Sequence, residues 1–133
     1  MPLAGRKLAI SGALAACRAA GWYGQDLVTA VAVMTAESAR YVKAWHLNDD
    51  GSTDRGLFQI NDHAHPDLSD ADAYKAAPNV KYAHRLSIHQ GFRPWAAYDS
   101  GAYAQYVDEV ETTYEDGTWR LKLPIWIARM AAL

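Results

Sequence analysis

Between Gln25 and Ser38 the chain carries Leu27, Val28, Val31, Ala32, Val33 and Met34, apolar side chains spread almost all the way round a helix. A helix without a broad polar face has to be enclosed by other elements. This stretch therefore predicts a central, buried helix, with Gly21-Trp22-Tyr23-Gly24 as the turn before it and Asp26 near its positive end. The whole chain is 133 residues, the size of one domain, 1–133. Such a domain buries about two-thirds of its unfolded surface, enough for one core.

Cys17 is the single cysteine, so no intramolecular disulfide can form and the core alone has to hold the fold, as suits a reducing compartment. A small buried helix residue is the favoured reading of Cys17 over a nucleophile. The formal net charge is −2 and no basic stripe is visible, which argues against a nucleic-acid partner. No run of about eighteen apolar residues is present, so no membrane span is expected. Arg6 and Lys7 before Leu8–Cys17 have the outline of a short signal, but Arg18 follows at once and Gly12 and Gly21 interrupt the stretch. Residues 3–20 read instead as a first helix ended by Gly21, which predicts a protein made in the cytoplasm without an export signal of its own.

Further along, 46–53 is polar and turn-forming, with Asp50-Gly51 as a hairpin signal. Gly56–Asn61 alternates like a strand, which would place Gln59 and Asn61 on one face and Phe58 and Ile60 on the other. Residues 62–77 read as loop with a short helical turn. Pro78 marks a helix start, with Val80, Ala83, Leu86 and Ser87 facing inward and Gly91 as the stop. Pro94 opens a helix holding Trp95, Tyr98, Ala102, Tyr106 and Val107. Asp116-Gly117 suggests a small hairpin between about Glu111 and Leu123, and Pro124 a last helix through Met130. The fold class is α+β, mainly helical, with one small β-element.

Glu37 is the residue with most chemical content. It closes the apolar helix, where the carbonyl ends repel negative charge and apolar surroundings disfavour ionisation. Both keep a carboxyl protonated near neutral pH, as a general acid requires; a solvated glutamate at a helix end is the plain alternative. Asp54 follows the polar turn and is a second carboxylate that could stabilise a cationic sugar centre, attack it or activate water. Gln59, Asn61 and Asn48 offer amides for sugar hydroxyls. Trp95 and Tyr98 offer flat faces for sugar rings, or an apolar wall for Glu37. His63-x-His65 with His46 or Asp62 matches no strong zinc spacing, and Asp49, Asp50 and Asp54 lack the pattern of a calcium loop, so no metal is expected.

Asn48–Asn61, reading NDDGSTDRGLFQIN, closely resembles the active-site hairpin of animal (C-type) lysozymes, and Glu37-Ser38 precedes it at the family's spacing. The chain is also similar to soluble lytic transglycosylases and to lysozyme-like domains of phages and actinobacteria. The shared elements are Glu37-Ser38, Gly56-Leu57-Phe58-Gln59-Ile60 and Ala97-Tyr98-Asp99-Ser100-Gly101, with Asn79-Val80 and Ala83 as the following helix. The resemblance covers roughly 8–107 and leaves 108–133 as a family-atypical extension. It implies a helical lobe beside a small hairpin lobe, with a cleft between them.

The resemblance further implies a peptidoglycan muramidase. Glu37 would be the acid, Asp54 the second carboxylate, and Asn48, Gln59, Asn61, Trp95 and Tyr98 the substrate-cleft residues, with no cofactor. Lysozymes are the type case of such a carboxyl pair. The partner is the bacterial glycan strand, acted on by a monomer; the lack of disulfides and His65-Pro66 point to the phage or bacterial branch, as an endolysin or virion-associated enzyme. Two other readings stand beside this one: a lytic transglycosylase forming anhydro-muramyl ends, and a non-catalytic wall-binding or virion structural module.

Overall fold

The computed structural model describes residues 4–123. Around the central helix α2 (Gly24–Ser38) are arranged α1 (Ile10–Ala20), α4 (Ala76–Gln90), the short α5 (Ala96–Asp99) and α6 (Val107–Asp116). Strands β1 (Trp45–Leu47), β2 (Thr53–Arg55) and β3 (Ile60–Asn61) form one antiparallel sheet in the order β1-β2-β3, and α3 (Asp70–Ala73) is a single turn. The result is α+β and mainly helical. From Leu27 to Thr35 every residue of α2 but Thr29 is buried, as its all-round apolar sequence requires. Cys17 is fully buried with a free thiol, and burial pushes its pKa upward. Among the described residues no helix is long and apolar enough to cross a membrane.

The structure corrects the expected boundaries in five places. Helix α1 starts at Ile10 rather than near residue 3. The segment before it pairs with the chain after α2, through Leu8 N–H to Arg40 O at 2.8 Å and Val42 N–H to Arg6 O at 3.0 Å. The expected strand Gly56–Asn61 is strand only at Ile60–Asn61. Leu57 and Phe58 are adjacent and both fully buried, which period-two alternation forbids, and Gln59 has a φ of 50°. Residues 46–53 are shorter as a turn than expected, since β1 and β2 enter the range at both ends.

The Asp116-Gly117 pair ends a helix instead of turning a hairpin. Gly117, at φ 78°, closes α6 by its N–H to Tyr114 O, the left-handed stop glycine favours. A 3-10 stretch, Thr118–Lys122, follows. Its Trp119 is buried, stacks on Tyr114 at 5.6 Å between centroids and donates Nε1–H to Tyr114 O at 3.0 Å. Residues 108–123 thus pack back on the helical lobe, α6 on α1 and α2 and the 3-10 stretch on α1. The helix expected from Pro94 is broken into α5 and a 3-10 stretch, Ala102–Tyr106, on either side of Gly101 at φ 81°. The helix expected from Pro124 lies outside the described residues.

A sheet whose three strands are only two or three residues long has little stability of its own, so its attachment matters. The register pairs Trp45 with Arg55, His46 with Asp54 and Leu47 with Thr53. Successive residues point to opposite faces: Asp54 and His46 face one way, Arg55, Trp45 and Thr53 the other. Arg55 is only 2% exposed. Its guanidinium donates to Ile60 O at 3.1 Å, Leu68 O at 2.7 Å, His65 O at 3.3 Å and Asp70 Oδ1 at 3.0 Å.

Asn79, 1% exposed, donates Nδ2–H to Arg55 O at 3.0 Å and Ala73 O at 2.9 Å and accepts Phe58 N–H at 2.9 Å. Gly56 lies so close to this junction that a Cβ there would collide with Ala73 O and Asn79 Nδ2, and its φ of 73° also favours glycine.

Arg55 and Asp70 separate two contributions. The Asp70 side chain is 80% exposed, so the ion pair itself adds little. Arg55→Met strands interior carbonyls and is expected to cost about 3 kcal/mol or more. Asp70→Asn is expected to cost less than about 1 kcal/mol. Urea denaturation of the two variants measures both; equal losses would mean that the ion pair, not the carbonyl set, anchors the hairpin.

Candidate active site

Two sharp local features place Glu37. Helix α2 ends one residue beyond it, and Ala39 and Arg40 both take positive φ, 52° and 67°, a conformation costing non-glycine residues of order 1 kcal/mol. Buried side chains hold that reversal. Ser38 Oγ bonds Met34 O at 3.1 Å and accepts Arg40 N–H at 3.2 Å. Arg40 Nε donates to Leu8 O at 3.0 Å and its Nη1 to Thr35 Oγ1 at 2.9 Å. The chain turns away at once, and half-buried Glu37 is left at the mouth of a cavity of about 270 Å³, at the small end of ligand sites.

Glu37, Asp54, Gln59, Asn61 and Trp95 line this cavity. The structure therefore brings together five of the seven residues singled out from sequence. Glu37 is held above its ordinary pKa, chiefly because burial disfavours the ionised form, with the negative charge of Asp54 adding to the effect. The Ala97 backbone N–H pulls the other way. Asp54 is half-buried on β2, and its Oδ1 accepts Asn61 Nδ2–H at 2.9 Å.

The amides are more committed than their sequence reading suggested. Asn61 donates to Ser52 Oγ at 2.9 Å as well as to Asp54, and its Oδ1 accepts the His63 and Ala64 N–H groups, each at 3.0 Å. An asparagine has two N–H donors and two acceptor sites, so Asn61 positions Asp54 and the following loop with none left over. Gln59 gives both amide hydrogens away, to Ala44 O at 3.1 Å and Gly56 O at 2.8 Å. Its Oε1 keeps its acceptor capacity. Trp95 is 4% exposed and donates Nε1–H to Phe58 O at 2.8 Å, so it serves as a wall and not as a stacking platform.

Two of the residues lie apart from the cavity. Asn48 spends a side-chain N–H on Ser52 Oγ at 3.1 Å, within the hairpin turn. Tyr98 stacks on Tyr103, meets Phe92 at a tilt and lines a different hollow with Trp22 and His84. Sequence reasoning gave Arg55 no role of its own, named Asn79 only as part of the following helix and weighed His65 only as a metal ligand and branch marker; the structure shows that they respectively anchor the hairpin, anchor the turn and line the cavity. Period-two alternation from Asp54 was the available signal for an inward Arg55. A larger hollow of about 860 Å³ lies on the other face of the sheet, beside Trp45, Thr53 and Tyr74; Asp70 is its one carboxylate among the described residues and is already tied to Arg55.

Residues 14–97 match the family model described as a lysozyme-like domain. That is more than half of the chain, and the chain belongs to the lysozyme-like family, whose members are generally enzymes acting on peptidoglycan as glycosidases or transglycosylases. No curated protein matches the chain.

The raised Glu37 has a cost in stability. Ionising it is harder in the folded chain than in the unfolded one, so stability falls as pH rises through its ordinary value and on through its folded value. Glu37→Gln removes that cost. Its Tm is expected to exceed the wild-type Tm at neutral pH, with the gap closing below about pH 4. A variant less stable than wild type at neutral pH would mean that ionised Glu37 is held by favourable contacts.

Proposed function

We propose that this protein is a muramidase, hydrolysing the β-1,4 bond between N-acetylmuramic acid and N-acetylglucosamine in bacterial peptidoglycan. The carrying observation is the pairing, in one cleft, of a half-buried carboxyl held above its ordinary pKa by burial and a second carboxylate fixed by an asparagine. Carboxyl groups in contrasting environments are how such sites divide the acid and base roles.

In the proposed reaction Glu37 gives its proton to the glycosidic oxygen as the C1–O bond breaks, so the leaving sugar departs as a neutral alcohol. Asp54 stabilises the positive sugar centre or traps it. Water then supplies hydroxyl to C1, and its proton returns to Glu37. Gln59 Oε1 accepts from a sugar hydroxyl, and Trp95 keeps the environment of Glu37 apolar.

We take residues 1–133 to act as one catalytic unit, with 108–123 as part of the helical lobe, supported by the burial of Val110 and Trp119. The site of action is the bacterial cell wall, and the phage or bacterial setting is that of an endolysin or virion-associated enzyme. The family's transglycosylase chemistry is the second reading: there the substrate's acetamido group does the work assigned to Asp54. A non-catalytic module would have no use for a carboxyl whose pKa is raised at a cost in stability.

Mass spectrometry of fragments released from purified peptidoglycan separates these readings. Reducing ends carrying the elements of water are expected. Anhydro-muramyl ends would make the protein a transglycosylase, and no fragments from folded protein would leave a binding module. Glu37→Gln is expected to lower the rate by about 10²–10⁴-fold or more, measured as turbidity loss of a cell-wall suspension; unchanged clearing by a folded variant would contradict its role.

A further inference from the structure

Building on the glycosidase reading, we infer that His65 is a substrate-binding residue of the cleft, whose Nε2 accepts a hydrogen bond from a sugar hydroxyl or acetamido N–H. His65 lines the same cavity as Glu37 and Asp54. Its backbone is fixed by the cleft's own residues, His65 N–H to Asn61 O at 3.0 Å and His65 O to Arg55 Nη2 at 3.3 Å.

The tautomer follows from the neighbours. Tyr82 is 7% exposed, and its phenol pKa is pushed up to about 12, by burial first and then by Asp67. It therefore keeps a single O–H. That proton goes to Asp67 Oδ1 at 2.6 Å, a short bond of the charge-assisted kind, and the same bond holds the Asp67 carboxyl below its ordinary value. The Tyr82 oxygen also lies 3.1 Å from His65 Nδ1. With its proton committed to Asp67, Tyr82 can only accept there, so Nδ1 must carry the hydrogen. In the neutral ring Nε2 is then an acceptor. The edge-on contact of the two rings, 73° at 5.4 Å, fixes the orientation.

The rest of the cleft calls for a ligand that brings donors. Asn61 is saturated, and Gln59 and Trp95 have spent their N–H groups on carbonyls. Gln59 Oε1, the second oxygen of Asp54 and Nε2 of His65 remain, all acceptors. A polyol or acetamido sugar supplies hydrogens to each of them. His65 thereby favours a donor-bearing sugar face.

The test compares wild type, His65→Phe and His65→Gln on purified peptidoglycan, with long-range ¹H–¹⁵N NMR of the His65 ring in the full chain. The Nδ1–H tautomer is expected in wild type and is expected to be lost in Tyr82→Phe. His65→Phe should raise KM about 3- to 10-fold with little change in kcat, and His65→Gln, which keeps an acceptor, should recover part of it. A KM unmoved by His65→Phe in an active, folded protein, or an Nε2–H tautomer in wild type, overturns this inference alone. A wild type that releases nothing from peptidoglycan overturns the glycosidase reading and this inference with it.

Discussion

The carboxamide of Asn79 is the contact on which the rest of the site depends. A sheet of two- and three-residue strands cannot hold its position by backbone pairing alone, and a chain with one cysteine has no disulfide with which to tie it down. Asn79 reaches from α4 to Arg55 O, Ala73 O and Phe58 N–H together. The turn from Arg55 to Phe58 and the end of α3 are thereby fixed to one helix. Arg55 repeats the device on the inner face of β2, gathering the carbonyls of the 60–68 loop. Because β2 alternates, the residue whose neighbour is anchored inward is Asp54, presented outward to the cleft.

The opposing wall is set by α2 and by Trp95. The helix is rigid because it is buried all round, and its abrupt end, through two positive-φ residues braced by Ser38 and Arg40, leaves Glu37 where the lobes meet. Trp95 closes the pocket by bonding to Phe58 O, on the same residue whose N–H Asn79 holds. The fold thus places a carboxyl where it is not fully solvated and sets a second one near enough to raise it further. Both arrangements are unfavourable for stability. They are offset by the hydrogen bonds around them, a balance typical of sites arranged for acid chemistry.

Much of this was legible from the residues. The all-round apolar pattern of 25–38 dictated a buried helix, and Glu37 and Asp54 followed from their setting and from the resemblance of the hairpin. What could not be read was long-range. Nothing local distinguishes an asparagine at a helix start from one that ties a distant turn to its helix, as Asn79 does. Glycine and aspartate signals were ambiguous in the same way: Asp50-Gly51 turned a hairpin, whereas Asp116-Gly117 ended a helix, because Trp119 found a buried place against Tyr114. Asn61 looked like a ligand for sugars and is instead saturated by Asp54, Ser52 and the loop. Only three-dimensional accounting of donors and acceptors separates an amide that positions from one that binds.

The central claim is that burial raises the Glu37 pKa above its ordinary value and that the Asp54 carboxylate, set nearby by the hairpin, adds to the shift. A ¹³C NMR titration of the Glu37 carboxyl, in wild type and in Asp54→Asn, tests it most directly. The account predicts a midpoint above that of an ordinary glutamate, lowered but not normalised in Asp54→Asn, since burial is the larger cause and Asp54 the smaller. An ordinary midpoint in wild type, or one indifferent to Asp54, would contradict it.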